Sequence, residues 1–146
     1  MKLFLDTNVL IDKLANRQPF IEDVKQLCIA KYFGDVELYV SVQSYLDAMY
    51  VLKKFTSDED LRSRAAATLN FFDVVDVEGR NLVPALRSSW PDIEDFMIAK
   101  TAENINADYL LTRDVQGFKN SSIKAMTPRD FIAFLKNEFG VEYGAE

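Results

Sequence analysis

Histidine does not occur among the 146 residues, and cysteine occurs once, as Cys28. Without imidazole there is no Ser–His or Cys–His nucleophile pair, no histidine-based ribonuclease chemistry and no imidazole metal ligand, which also weighs against zinc. A single thiol cannot close an internal disulfide, and Cys28 lies in an apolar stretch, so it reads as a buried structural side chain. Glycine (5) and proline (4) are sparse, and no linker, repeat or low-complexity tract interrupts the chain, which reads as one folded unit. No apolar run approaches the roughly 20 residues that span a bilayer, and the apolar run Leu3-Phe4-Leu5 is too short for a signal-peptide core. The expectation is a cytoplasmic protein.

What is plentiful is apolar mass and carboxylate. Hydrophobic residues make up 49% and aromatics 12%, enough for the core of a domain this size. Against 17 Lys and Arg stand 23 Asp and Glu, a net charge of −6. Oxygen ligands in this abundance favour hard cations such as Mg²⁺ and Mn²⁺. The acidic balance argues against a simple nucleic-acid-binding module held by counterion release, although carboxylates neutralised by cations can sit beside a local basic rim.

Short β-type runs at 3–5, 37–40, 72–75, 109–111 and 124–126 read as strands. Between them, helical periodicity predicts helices at 7–15, 19–33, 42–55, 58–70, 79–87, 92–106 and 128–138. Ser41, Ser57 or Asp58, Asp92 and Thr127 are candidate N-caps, with Pro128 suited to the first helical position. Strands alternating with helices imply a three-layer α/β/α fold around a parallel sheet of four to five strands. The domain is expected over 1–139, followed by a frayed tail at 140–146, where Gly140 and Gly144 interrupt the pattern.

Four acids stand where a carboxylate is costly. Asp6 closes the first strand at its C-terminal end, the edge where open α/β sheets build ligand crevices; it also suits a helix cap, and the two roles are compatible. Asp47 is the only charge in Tyr45-Leu46-Asp47-Ala48-Met49-Tyr50-Val51-Leu52, a run apolar enough to bury most of its helix. There it needs a cation or several donors. An outward-facing Asp47 paired with Lys53 or Lys54 fits the same spacing. Asp95 shares a helical stripe with Ile98, Ala99, Ala102 and Ile105 and should point inward, with Asp92 capping the helix and Glu94 outside the site. Asp114 follows a short apolar strand through Thr112 and Arg113, repeating the design of the amino terminus. If the first and fourth strands are neighbours, Asp6 and Asp114 meet, and like charges so close need cations.

These segments carry a resemblance. Leu5-Asp6-Thr7-Asn8-Val9-Leu10-Ile11-Asp12, Asp92-Ile93-Glu94-Asp95, Leu111-Thr112-Arg113-Asp114 with Phe118, and Thr127-Pro128-Arg129-Asp130-Phe131 together resemble PIN-domain proteins, and in size the VapC toxins of toxin–antitoxin pairs. The resemblance covers residues 2 to about 135. It implies an endoribonuclease dependent on Mg²⁺ or Mn²⁺ that leaves 5′-phosphate and 3′-hydroxyl ends. Metal-ligand roles fall on Asp6, Asp95 and Asp114, assistance on Asp47, and supporting roles on Asn8, Thr112 and Asp92. The family commonly has glutamate where this chain has Asp47, one methylene shorter. A small antitoxin presenting an arginine to the acids, and a homodimer, are also implied.

Arg113, Lys119 and Lys124 are candidate RNA phosphate contacts, and Trp90 or Phe118 a stacking surface for a base, against the plainer readings of a solvated loop and a core anchor. Two rival functions remain. A PIN fold that binds RNA or protein without cutting would account for Asp47 and the acidic balance. A response-regulator-like phosphoacceptor needs paired acids at the first strand and a lysine after the last, which this chain does not have.

Overall fold

The computed structural model describes residues 1–144. Five parallel strands, β1 (Lys2–Leu5), β2 (Glu37–Ser41), β3 (Phe72–Val75), β4 (Tyr109–Leu111) and β5 (Ala125–Met126), form one sheet in the order β3-β2-β1-β4-β5. All five lie at the expected runs. Beyond their first residues the central strands are mostly apolar because helices cover both faces, and successive side chains divide between two cores. Leu3, Leu5, Leu38 and Leu111 face the larger core; Phe4 and Leu110 face the smaller one.

The larger core is closed by α1 (Thr7–Ala15), α2 (Phe20–Tyr32), α3 (Val42–Leu52), α4 (Asp58–Thr68) and α7 (Pro128–Phe139). On the opposite face α6 (Ile93–Asn104) brings Ile98, Ala99 and Ala102 against Phe4, Leu110 and Phe118, with α5 (Leu82–Arg87) packed beside it. Small residues at two of these positions let α6 lie close to the sheet, which brings its N-terminus to the sheet's C-terminal edge. Cys28 is buried, as expected, and burial pushes its thiol up to about 11.

Local signals set the helix starts. Ser41, Ser57, Asp92 and Thr127 each accept the backbone N–H three residues on, at 3.0, 3.2, 3.1 and 3.0 Å. Gly140, in the left-handed region at φ 66°, ends α7 with its N–H on the Leu135 and Lys136 carbonyls. Beyond it Tyr143 stacks on Phe33 at 5.9 Å and donates its hydroxyl to Asp35. The tail expected to fray reaches past this point to 145 and 146, which lie outside the described residues.

Two expectations need correction. The apolar run on α3 does not bury most of its surface: Leu46 is 59% and Tyr50 63% exposed, while Tyr45, Ala48 and Leu52 face the core. Hydrophobicity alone did not distinguish a buried helix from one with an uncovered apolar face. The region at 79–87 opens as a 3₁₀ turn (Gly79–Asn81) before α5, and a second such turn (Val115–Phe118) follows β4, too short to leave a periodicity. Among the described residues no helix is long and apolar enough to cross a membrane.

Phe131 on α7 is fully buried, with Tyr109 and Phe134 rings 5.9 and 6.0 Å away. Phe131→Ala is expected to lower stability by about 3–5 kcal/mol in urea unfolding, the cost of deleting a buried aromatic and leaving a cavity.

Candidate active site

Since β1 and β4 are neighbours, with Leu5 opposite Leu111, the residues that follow them leave the sheet side by side. The Asp6 N–H donates to the Leu111 carbonyl (2.9 Å) and the Thr112 N–H to the Met126 carbonyl (2.9 Å), which extends the ladder one step beyond the strands. Asp6 is buried and its carboxylate is fully engaged: Oδ1 accepts from the Thr7 N–H (2.7 Å), and Oδ2 from the Thr112 hydroxyl (2.8 Å) and Asn8 Nδ2 (3.2 Å). Thr112, with no exposed surface, also accepts the Asp114 N–H at 3.0 Å. One hydroxyl thus fixes Asp6 and the backbone of Asp114 together. Asn8 completes the clasp by accepting the Arg113 N–H at 3.3 Å.

The third acid comes from the other face. Asp92 caps α6, and Asp95, half-buried, points toward the same edge. Gly117 shows how near these groups are. A Cβ built there would stand 2.6 Å from Asp114 Oδ2 and 3.0 Å from Asp95 Oδ2, so a side chain at this position would fill the space both carboxylates border. Asp114 in turn accepts the Gly117 N–H at 3.2 Å.

The charges register this crowding. Burial lifts Asp95 to about 7, helped by repulsion from Asp92, Asp6, Asp114 and Glu94. Burial likewise raises Asp6; hydrogen bonds from Thr112 and Thr7 oppose the rise, and Asp114 and Asp92 add to it. Glu94 is raised by burial and by Asp47, Asp92 and Asp6. Sequence reasoning left Glu94 out as an acid on the outer side of a helix start; the fold brings it within electrostatic reach of Asp47 on α3. Asp47 itself accepts from Gln43 (2.9 Å), touches Glu94 electrostatically, and is not among the charges raising Asp6 or Asp95. Lys53 lies over the Tyr50 ring instead of pairing with it. A further unforeseen feature is the hydroxyl chain Thr7–Ser44–Ser41 (2.7 and 3.1 Å), which ties the starts of α1 and α3 together beneath the acids.

None of Asp6, Asp47, Asp92, Glu94, Asp95 and Asp114 forms an ion pair among the described residues. An all-carboxylate donor set of uncompensated charge fits a hard divalent cation, and the space at Gly117 provides room between two of the acids. As placed, the acids stand apart: among the described residues no three His, Cys, Asp or Glu side chains gather closely enough to hold one ion.

The candidate contact residues take different places. Arg113 commits its Nε to the buried Asp12 (2.9 Å) and lies over the Phe20 ring at 4.3 Å. Lys119 and Lys124 are exposed and unpaired among the described residues. Phe118 is buried and anchors its turn, and Trp90 packs edge-on against Phe96 and Phe118.

A family model described as PIN domain matches residues 2–116. Compared with curated proteins, the sequence matches none. Among solved structures the chain is similar to one from the VapBC2 complex of Rickettsia felis bound to a DNA fragment from their promoter, with a TM-score of 0.67, 18% identity, 87% of this chain covered and 98% of that one. It is also similar to a chain of a toxin–antitoxin complex from Klebsiella pneumoniae (TM-score 0.61, 24% identity, 86% and 97% covered). A third similar structure is VapC20 of Mycobacterium tuberculosis, a Sarcin-Ricin loop cleaving toxin (TM-score 0.59, 14% identity, 74% and 86% covered). At these identities the likeness is one of fold.

Asp6, Glu94 and Asp95 all shift upward, so without metal the folded protein holds protons that the unfolded chain releases. Their stabilising contribution is complete below the unfolded carboxylate range, near pH 4, and is lost as pH rises through about 7. In EDTA the Tm is expected to fall between pH 5 and pH 8, and Asp95→Asn to be more stable than the parent at pH 8 with a flatter profile. A parent Tm that holds steady or rises over this interval contradicts the crowding.

Proposed function

The chain belongs to the PIN-domain family, and from that premise we propose that it is a Mg²⁺- or Mn²⁺-dependent endoribonuclease that hydrolyses RNA phosphodiester bonds as the toxin of a toxin–antitoxin pair. The observation that carries this reading is the convergence of Asp95 and Asp114 on Gly117 beside the buried Asp6, three carboxylates with no ion-pair partner among the described residues.

In this reading Asp6, Asp95 and Asp114 hold the cation. When bound, a divalent ion supplies charge neutralisation, activation of water and stabilisation of the leaving oxygen. The chain's own contribution is order. Thr112 and the Thr7 N–H hold Asp6 in one orientation, so little motion is spent when the site fills. Asn8 and Thr112 keep the 112–114 segment against β1. Asp92 caps α6 and adds negative potential without joining the ligands. Asp47 acts through Glu94, and the pair orients water at the outer side of the cleft. Lys119 and Arg113 are assigned to the RNA, the former as a cation at the rim.

The Rickettsia and Klebsiella neighbours come from toxin–antitoxin complexes, which supports a small antitoxin as partner, with an arginine meeting the acids. Exposed Leu46 and Tyr50 on α3 support a further protein contact, for which a homodimer is the simplest form. A cytoplasmic location goes with this assignment.

A second reading, a PIN fold that binds RNA or protein without cutting, draws on the spread of the acids and on Asp47 in place of glutamate. Cleavage of a structured and an unstructured RNA in Mg²⁺, Mn²⁺ or EDTA separates the two. The expected result is metal-dependent cleavage that Asp6→Asn and Asp95→Asn each reduce by at least about 100-fold, with Asp47→Asn and Glu94→Gln reduced by about 10-fold. Folded, antitoxin-free protein that binds RNA and cuts it in no metal establishes the non-catalytic module.

A further inference from the structure

On the opposite side of the 112–114 segment from the acids, between the starts of α2 and α7, lies a cavity of about 220 Å³. Its lining includes Asp12, Phe20, Asp23, Arg113, Pro128 and Arg129. Asp12 is 1% exposed, its Oδ2 accepts from Arg113 Nε at 2.9 Å, and its Oδ1 has no hydrogen-bond partner. A buried carboxylate oxygen without a donor is rare, because it forfeits hydration without replacement. Arg113 is bound through Nε alone; among the hydrogen bonds of the described residues its terminal amino groups donate to nothing. At the rim Arg129 and Asp23 form a looser second pair at 3.5 Å. The walls are flat and mostly apolar: the Phe20 ring with the Arg113 plane over it at 4.3 Å, and Pro128.

This combination has a chemical complement. Guanidinium donors in excess, carboxylate oxygens wanting donors, and apolar walls together suit a planar ring whose edge carries acceptors beside donors. Guanine offers O6 and N7 to an arginine, and N1–H and N2–H₂ to a carboxylate. No other base joins two adjacent acceptors to two adjacent donors. The volume falls below the roughly 300 Å³ at which pockets begin to take drug-sized ligands, so it suits one base and not a whole nucleotide. Asp12 and Asp23 make it a poor seat for a phosphate. The pocket also adjoins the chemistry: Arg113 reaches into it from between Thr112 and Asp114, so a strand crossing this ridge has a phosphate on one side and a neighbouring base on the other.

We propose that this pocket is a guanine subsite for a nucleotide flanking the cleaved linkage, read by Arg113 and Asp12 and walled by Phe20 and Pro128. The proposal rests on the endoribonuclease reading for its place on the substrate, but not for the binding itself.

Two measurements test it. In the first, guanosine, inosine or adenosine 5′-monophosphate is titrated into the full-length protein in EDTA and followed by NMR. Guanosine monophosphate is expected to shift the Arg113 Nε–H and Phe20 ring signals, with at least about tenfold weaker effect from the other two. Phe20→Ala, or Arg129→Gln at the exposed rim should the former fail to fold, weakens the response. In the second, RNAs of one sequence, differing only by G or A at single positions beside the cut, are cleaved in Mn²⁺. A preference for G of about tenfold that Phe20→Ala or Arg129→Gln removes supports the subsite. Binding of guanosine monophosphate without any RNA cleavage supports the pocket while sinking the ribonuclease reading. Cleavage indifferent to the flanking base, with no nucleotide response in the pocket, overturns the subsite and leaves the enzyme. A pocket that responds to an arginine-bearing peptide but to no nucleotide overturns it in favour of a protein partner.

Discussion

Like charges held at one edge of a sheet are the constraint on which this structure turns. Asp6, Asp95 and Asp114 arrive from a strand end, a helix start and a turn, and Asp92 and Glu94 stand close enough to be felt. Assembling them is unfavourable in itself: burial lifts Asp95 to about 7, and repulsion from its acidic neighbours adds to the rise. The remainder of the chain therefore has to enforce the arrangement. It does so with two cores of buried aliphatic and aromatic side chains and with buried hydrogen bonds, above all those of the Thr112 hydroxyl, which serves Asp6 and Asp114 together.

Topology makes the enforcement possible. Placing β4 beside β1, with Leu5 opposite Leu111, joins residues 106 positions apart at the Thr112–Asp6 bond. On the far face, Ala99 and Ala102 let α6 approach, and its capped start delivers Asp95. The pair of Asp12 with Arg113 secures the same segment from the opposite side. A site strained by its own charge is thus braced from both faces of the sheet, the usual relation between a functional arrangement and the scaffold that carries it.

Much of this was legible in the sequence because it depends on local signals. β-type runs of three or four residues located every strand, and Ser41, Asp92 and Thr127 marked helix starts by their capping chemistry. Strand-end position singled out Asp6 and Asp114, and the helical stripe turned Asp95 inward. What escaped depends on pairs far apart in the chain. Nothing in the sequence links Asp12 to Arg113, 101 residues away, until the fold sets them side by side. Glu94 is an ordinary acid of a first helical turn until the fold brings Asp47, 47 residues away, within electrostatic reach. The apolar run on α3 misled in the other direction, because hydrophobicity says what prefers burial and not what has been covered. Gly117 gave no signal in sequence, since its role is to leave space for two carboxylates supplied by other elements.

The central claim is that the crowded acids form a single cation site. Calorimetric titration of Mn²⁺ at pH 6, in two buffers of different ionisation enthalpy, tests it without reference to any substrate. The account predicts binding that releases protons, because the cation displaces those held by the raised carboxyls, and that is weakened in both Asp6→Asn and Asp114→Asn. Binding without proton release, or unchanged in those variants, would show that the cation sits elsewhere and that the acids are crowded for another reason.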